Sequence, residues 1–198
     1  MRTFTLTLLI VLLYLSAWAQ VEQPQALRLM PSDTASEALP KPDLYCFPEH
    51  VSVKMADGST KSISTVQAGD TVIAYANKQI TTTLVRQVDK LENMGTALTQ
   101  LYLRPVDELT ASRNSWPLVP ALLLEATPCH PVQTATGRKR VEELIKGDVL
   151  YCYEPATGAV SAWKVGLIQA NAGKLDTGYT LITDTGSYLV ENVVVLDK

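Results

Sequence analysis

Residues 53–72, VKMADGSTKSISTVQAGDTV, decide the fold of this chain. In this stretch Gly58 marks a turn, and Gly69-Asp70 follows eleven positions later. Residues 132–149, VQTATGRKRVEELIKGDV, repeat the same order with a spacing of ten. Each copy reads strand, glycine turn, basic residue, short apolar turn, Gly-Asp and strand. The repetition predicts an internal duplication with pseudo-twofold symmetry, the alternative being a chance likeness between two glycine-turned hairpins.

Short segments rich in β-branched and aromatic residues fill the chain from residue 46 onward, with turn residues between them. Only residues 62–67 and 141–146 have the pattern of single helical turns. This alternation predicts an all-β domain over residues 46–198. The predicted strands are residues 51–55, 71–75, 80–88, 98–103, 122–127, 149–153, 162–168, 179–183 and 188–195.

The first 19 residues have the features of a secretory signal peptide. Arg2 is basic, residues 8–15 are apolar, and Ala17-Trp18-Ala19 fits a cleavage site. The apolar stretch is too short to span a bilayer, although an uncleaved N-terminal anchor remains an alternative. We therefore expect a secreted or periplasmic protein with no membrane association once the signal is removed.

Residues 20–45 form a second region, in which Pro24, Pro31, Pro40 and Pro42 are interspersed with polar residues. This composition predicts a disordered linker without a core. The whole chain has a formal net charge of −3, so it lacks the basic footprint of a nucleic-acid-binding protein. It contains three cysteines, an odd number, so at least one thiol is left over after any intrachain disulfide.

A candidate reactive set consists of Cys46, Thr127 and His130. A thiol, a hydroxyl and an imidazole that meet in space can attack an acyl carbonyl. Cys46 stands where the composition changes from linker to domain, so the nearest acyl group is its own upstream peptide bond, Tyr45–Cys46.

Four segments resemble the motifs of Hint domains, the autoprocessing modules of hedgehog proteins and inteins. Residues 46–48, CFP, and residues 68–72, AGDTV, resemble the N-terminal motif of the family. Residues 126–132, ATPCHPV, resemble its Thr-x-x-His motif, and residues 143–150, ELIKGDVL, resemble the segment that follows. The resemblance implies a horseshoe-like all-β fold with an internal duplication, as the repeat also predicts.

The resemblance further implies self-cleavage by an N-to-S acyl shift. The thiol of Cys46 attacks the carbonyl of Tyr45 and forms a thioester. His130 hydrogen-bonds the scissile amide and protonates the departing nitrogen as a general acid, and Thr127 holds or polarises that amide. Water or a small thiol then resolves the thioester, so no cofactor, metal or partner is required. Asp107 lies upstream of the Thr-x-x-His motif, where some family members use an acid.

The C-terminal residues depart from the family pattern. Splicing inteins end in His-Asn followed by a nucleophile, whereas this sequence has Leu196 and Asp197 at the matching positions. Asn192 is near, but we expect it to have no downstream segment to join. We therefore expect cleavage without splicing.

Three other hypotheses remain open at this stage. Cys46, His50, Cys129 and His130 are possible ligands of a tetrahedral Zn²⁺ site. A disulfide between Cys46 and Cys129 would lock the nucleophile in an oxidising compartment. Finally, the chain could be a degenerate Hint module that no longer cleaves and serves as a structural or interaction domain.

Overall fold

Strands and tight turns make up the regular structure of this protein in a computed structural model that describes residues 43–106 and 122–197. Those two ranges contain no α-helix, and two 3₁₀ turns, Ile63–Thr65 and Val141–Glu143, lie where single helical turns were predicted. The all-β prediction is confirmed. The strands are β1 (Ser52–Lys54), β2 (Thr60–Ser62), β3 (Thr71–Ala76), β4 (Gln79–Leu91), β5 (Thr96–Pro105), β6 (Leu122–Ala126), β7 (Pro131–Thr134), β8 (Gly137–Arg140), β9 (Val149–Glu154), β10 (Ala159–Leu175), β11 (Gly178–Thr183), β12 (Ser187–Val190) and β13 (Val193–Leu196).

The strands pair antiparallel in two sheets. The larger sheet has the order β2–β1–β12–β13–β7–β9–β10–β5–β6, with β8 against β7, and the smaller has the order β11–β4–β3. The long strand β10 shifts register against β5 twice, and β11 shifts against β4 once. Such bulges bend and twist a strand, and the large sheet curls into a half-barrel.

One apolar core joins the two sheets. It is built from strands of both sheets together with the residues that precede β1, and its largest fully buried side chains are Tyr188 and Phe47. The rings of these two residues meet edge to face with centroids 6.3 Å apart. Phe47 is adjacent to Cys46, so the candidate nucleophile is next to a core residue in the chain.

The prediction of a single strand over residues 188–195 was wrong. The chain reverses at Glu191 and Asn192, whose φ angles are +49° and +63°, and it returns as β13. Apolar residues continue through this hairpin because both of its strands are buried, so hydrophobicity gave no sign of the turn. A contact distant in sequence holds the turn: Ser52 donates its N–H to the Glu191 carboxylate at 2.6 Å and accepts from the Glu191 N–H at 2.9 Å.

The predicted duplication is present in the structure as two copies of the same ion-paired turn. Lys61 bonds both carboxylate oxygens of Asp70 at 3.0 and 2.9 Å. Lys139 bonds both oxygens of Asp148 at 2.8 and 2.9 Å, and in each copy the partners are nine residues apart. Each aspartate also accepts a backbone N–H three residues upstream, at 2.9 Å in both copies.

The backbone of each Gly-Asp pair is hydrogen-bonded to the long strand of its own copy, which is β4 in the first copy and β10 in the second. Gly69 donates to the carbonyl of Val85, and Val85 donates back to Asp70, both at 2.9 Å. In the second copy Val165 makes the same two bonds with Gly147 and Asp148 at 2.8 Å. The Lys–Asp pair therefore anchors the start of a long hairpin in each half of the fold.

We expect Asp148→Ala to lower the free energy of unfolding by about 2 kcal/mol, because it leaves a half-buried Lys139 ammonium without its anion. Asp70→Ala is expected to cost less, since Lys61 is more exposed. Urea denaturation measures both. Glu92→Ala, in an exposed ion pair with Lys90, is the control and should stay within about 0.5 kcal/mol of the wild type. Equal values for all three variants would contradict this account of the duplicated turn.

Candidate active site

Backbone pairing with β11 fixes the position of Cys46. The next residue, Phe47, donates its N–H to the Tyr179 carbonyl at 2.8 Å and accepts from the Tyr179 N–H at 2.9 Å. Residues on either side of such a bridge cannot shift along the strand without breaking two buried hydrogen bonds. The candidate nucleophile is therefore held at one register position of the small sheet.

The side chain of Cys46 is fully buried in a small apolar cluster with Leu98, Leu175 and Met94. Gly178, the first residue of β11, makes this packing possible. A Cβ atom at Gly178 would lie 2.6 Å from the Cβ of Cys46 and 2.5 Å from the Cε of Met94. This position therefore has no room for a side chain larger than that of glycine. The sequence carried no signal for a glycine here, because the contact is between distant segments.

Thr127, directly after β6, binds the backbone on both sides of the Tyr45–Cys46 peptide. Its hydroxyl oxygen accepts the N–H of Cys46 at 3.0 Å, and the hydroxyl donates to the carbonyl of Leu44. The N–H of Thr127 also donates to the Cys46 carbonyl at 3.0 Å. One buried side chain thus holds the amide that the sequence predicts to be scissile.

His130 is completely buried beneath the same backbone. Its N–H donates to the Thr127 carbonyl at 3.0 Å, and its own carbonyl accepts from Val141 at 2.9 Å. The imidazole packs against the Phe47 ring with centroids 4.0 Å apart. The Thr-x-x-His spacing is therefore one tight turn that places a hydroxyl and an imidazole against residues 45–47.

The imidazole of His130 is in its neutral form. Burial lowers its pKa to about 3, although the backbones of Tyr45 and Leu196 act in the opposite direction. A backbone group favours the protonated imidazole by accepting an N–H of the ring. The backbone atom that can accept is the carbonyl oxygen. Neither ring nitrogen makes a hydrogen bond of normal geometry within the described residues, so these carbonyls are near the ring but not aligned with it.

Thr127 and His130 lie near different parts of the peptide that the sequence predicts to be scissile. The N–H of that peptide, from Cys46, is bonded to Thr127. The imidazole of His130 lies near the backbone of Tyr45, on the acyl side of the same peptide. The structure thus brings together all four predicted site residues, Tyr45, Cys46, Thr127 and His130.

The residues of the zinc hypothesis do not gather at one point. His50 is exposed and bonds Glu125 at 2.5 Å, while the Cys129 thiol interacts with Asp43. Within residues 43–106 and 122–197 no group of three or more histidine, cysteine or acidic side chains could hold a metal ion. The same described residues contain no disulfide, so the Cys46–Cys129 bridge is not formed in this structure.

The last described residues close the fold near the site. Leu196 ends β13, and its backbone lies near the His130 ring. The Asp197 carboxylate accepts the N–H of Thr183 at 2.8 Å and its hydroxyl at 3.2 Å. Neither residue supplies the imidazole and carboxamide that intein splicing requires at these positions, and Asp197 instead supports the turn between β11 and β12.

A duplicated and curled all-β scaffold, in which Cys46 lies against the Thr127–His130 turn, is the arrangement expected of a Hint fold. Solved structures agree with this fold. The chain is similar to a bacterial intein-like domain from Clostridium thermocellum, with 19% identity and a TM-score of 0.57 over 78% of this chain and 99% of that one. The similarity extends to a DnaB intein from Synechocystis sp. PCC 6803, at 14% identity and a TM-score of 0.58, with 77% and 98% covered.

An intein from a hyperthermophile is similar as well, at 14% identity and a TM-score of 0.59, with 77% of this chain and 99% of that chain covered. No protein-family model matches the sequence, and no curated protein matches it significantly. At these low identities the comparisons establish the fold alone. This protein has the Hint fold.

Several predictions concern residues outside the described ranges. They are the signal peptide at residues 1–19, residues 20–42 of the linker, and Asp107. Among the described residues no helix is both long and apolar enough to cross a bilayer.

We expect Gly178→Ala to destabilise the domain by about 1–3 kcal/mol, because the added methyl overlaps Cys46 and Met94. Gly173→Ala in β10 is the matched control, since a Cβ there meets no atom within 4 Å. Thermal unfolding measures both variants. If the two substitutions have equal effects, the close packing around Cys46 is not a constraint on the fold.

Acid is expected to destabilise the folded domain through His130. Its folded pKa, about 3, is below the ordinary value of 6.5, so the unfolded chain binds more protons between these limits. This contribution to stability is complete above pH 6.5 and falls by roughly 1.4 kcal/mol per pH unit below it. Urea denaturation between about pH 4.5 and 6.5 measures the slope, above the range in which most carboxyl groups titrate. His130→Gln should flatten it, and an unchanged slope in this variant would contradict the role of His130.

Proposed function

We propose that this Hint domain cleaves its own chain at Tyr45–Cys46 and does not splice. The observation that carries the proposal is the Thr127 hydroxyl, which binds the scissile N–H and the preceding carbonyl of Leu44 at once. These two anchors flank Tyr45 and restrict rotation of the Tyr45–Cys46 peptide. Such orientation of reacting groups lowers the entropic cost of attack.

The proposed reaction exchanges an amide for a thioester. The Cys46 sulfur bonds to the carbonyl carbon of Tyr45, the bond from that carbon to the Cys46 nitrogen breaks, and the thiol proton ends on the nitrogen. Water then adds its hydroxyl to the acyl carbon, the carbon–sulfur bond breaks, and the hydrogen of water ends on the sulfur. The products are a fragment ending in the Tyr45 carboxylate and a domain beginning with Cys46. A small thiol can replace water in the second step.

A neutral His130 serves this reaction as a proton relay. With a pKa of about 3 the ring is a neutral imidazole and not an imidazolium at the outset, so it does not begin as the general acid. Neutral imidazole has one acceptor nitrogen and one N–H donor. It takes the thiol proton as sulfur attacks and returns a proton to the departing nitrogen. Its proximity to the Tyr45 backbone also lets the N–H approach the oxygen on which negative charge develops.

The proposal extends to where the reaction occurs. The sequence of residues 1–19 supports export, so we propose a secreted or periplasmic protein that needs no cofactor or partner for cleavage. Leu196 and Asp197 support cleavage without splicing, since neither side chain performs the cyclisation that releases an intein's C-terminal end.

The test uses the chain from residue 20 onward with a folded reporter fused before it. Incubation with dithiothreitol or hydroxylamine should release the reporter, and mass spectrometry should find a new N-terminus at Cys46. Cys46→Ala should abolish release, and Thr127→Val and His130→Ala should slow it by roughly 10²-fold or more. Cys152→Ala, which removes another fully buried thiol, is the matched control and should cleave as the wild type does.

Complete burial of Cys46 among apolar side chains favours one competing function, a structural Hint module that does not cleave. Buried cysteines in apolar surroundings are commonly structural and inert. Wild-type protein that stays intact under both reagents, like Cys46→Ala, would support this second reading and overturn self-cleavage.

A further inference from the structure

The residues before the proposed cleavage point are bound by a second set of contacts, made by the end of β8. Arg140 donates to the Asp43 carboxylate from both terminal guanidinium nitrogens, Nη2 at 2.8 Å and Nη1 at 3.4 Å. The hydroxyl of Tyr45 donates to the same carboxylate at 3.1 Å. With the Leu44 carbonyl bound to Thr127, each of the three residues before Cys46 makes a hydrogen bond.

The internal duplication shows that the scaffold does not require an arginine at this position. Lys61 and Lys139 are equivalent residues of the two ion-paired turns, so the residues that follow them, Ser62 and Arg140, are also equivalent. The Ser62 hydroxyl instead bonds the carbonyl of Glu49 and the hydroxyl of Ser64. The guanidinium is therefore specific to the copy that borders the Tyr45–Cys46 peptide.

We propose that Arg140 is a positioning and specificity residue that selects an acidic side chain at the third position before the cleaved bond. This inference rests on the self-cleavage proposed above. A planar guanidinium matches a carboxylate through two parallel N–H groups, which fixes the direction of the bound chain as well as its charge. Asp43 and the Leu44 carbonyl then act as two anchors, so the Tyr45 carbonyl cannot rotate away from Cys46.

The electrostatic surroundings of Arg140 define how strong the effect can be. Arg140 and Asp43 are 40% and 41% exposed, and Glu142 lies 3.5 Å from Arg140. An ion pair with this exposure contributes modestly and is screened by salt. We expect the rate of thiol-induced cleavage to fall about fivefold in Arg140→Ala or Asp43→Ala, and about tenfold in the charge reversals Arg140→Asp or Asp43→Arg.

The decisive experiment combines the two reversals. Arg140→Asp together with Asp43→Arg restores opposite charges and should recover most of the lost rate, which loss of a merely structural residue would not do. High salt should slow the wild type toward the Arg140→Ala rate and leave Arg140→Ala nearly unchanged. Arg86→Ala, which removes another exposed Arg–Asp pair on β4, is the control and should cleave normally.

A second readout separates this inference from the proposed function. In the Cys46→Ala background, which cannot cleave, hydrogen exchange at the amide of residue 46 reports whether the upstream chain is held against Thr127. Arg140→Ala should raise that exchange rate about fivefold, and the double reversal should lower it again. A wild type that never cleaves defeats the self-cleavage proposal, whatever the exchange shows. Normal cleavage and unchanged exchange in Arg140→Ala defeat the role of Arg140.

Discussion

The pairing of Phe47 with Tyr179 is the constraint on which the rest of the site depends. Two backbone hydrogen bonds and a fully buried ring draw the start of the domain into the small sheet. Cys46 then has one available position, against Gly178. The residues before it emerge beneath the turn that carries Thr127 and His130. Without this bridge the candidate nucleophile would be held only by its hydrogen bonds to Thr127 among those described above.

Burial has different consequences for Thr127 and for His130. It makes Thr127 an effective anchor, because a buried amide and carbonyl are costly to leave without partners. It keeps His130 neutral, because a charged ring is poorly solvated in the core. A neutral imidazole next to an amide suits proton relay better than proton donation. Burial of His130 therefore lowers the stability of the fold in acid, and it keeps a ring that can both accept and donate a hydrogen bond.

Much of the fold was predictable because its signals are local. Gly69-Asp70 and Gly147-Asp148 specify tight turns through backbone preference, and the repeat of that pair predicted the duplication. The site residues were found through the motif spacing around Cys46 and His130. The reversal at Glu191 was missed because it is held by Ser52, which is far away in the sequence. Gly178 and Arg140 were missed for the same reason, since each matters only through a residue from another segment.

The sequence by itself determined the class of fold, the duplicated turns and the identity of the candidate nucleophile, hydroxyl and imidazole. These follow from short-range patterns: alternation, glycine at turns, and the three-residue reach of Thr127 to His130. The tertiary structure alone decided that the N–H of Cys46 is held by Thr127, and that Arg140 binds Asp43. Hydrogen-bond partners separated by more than eighty residues are chosen by how two sheets close on a shared core, which no local pattern encodes.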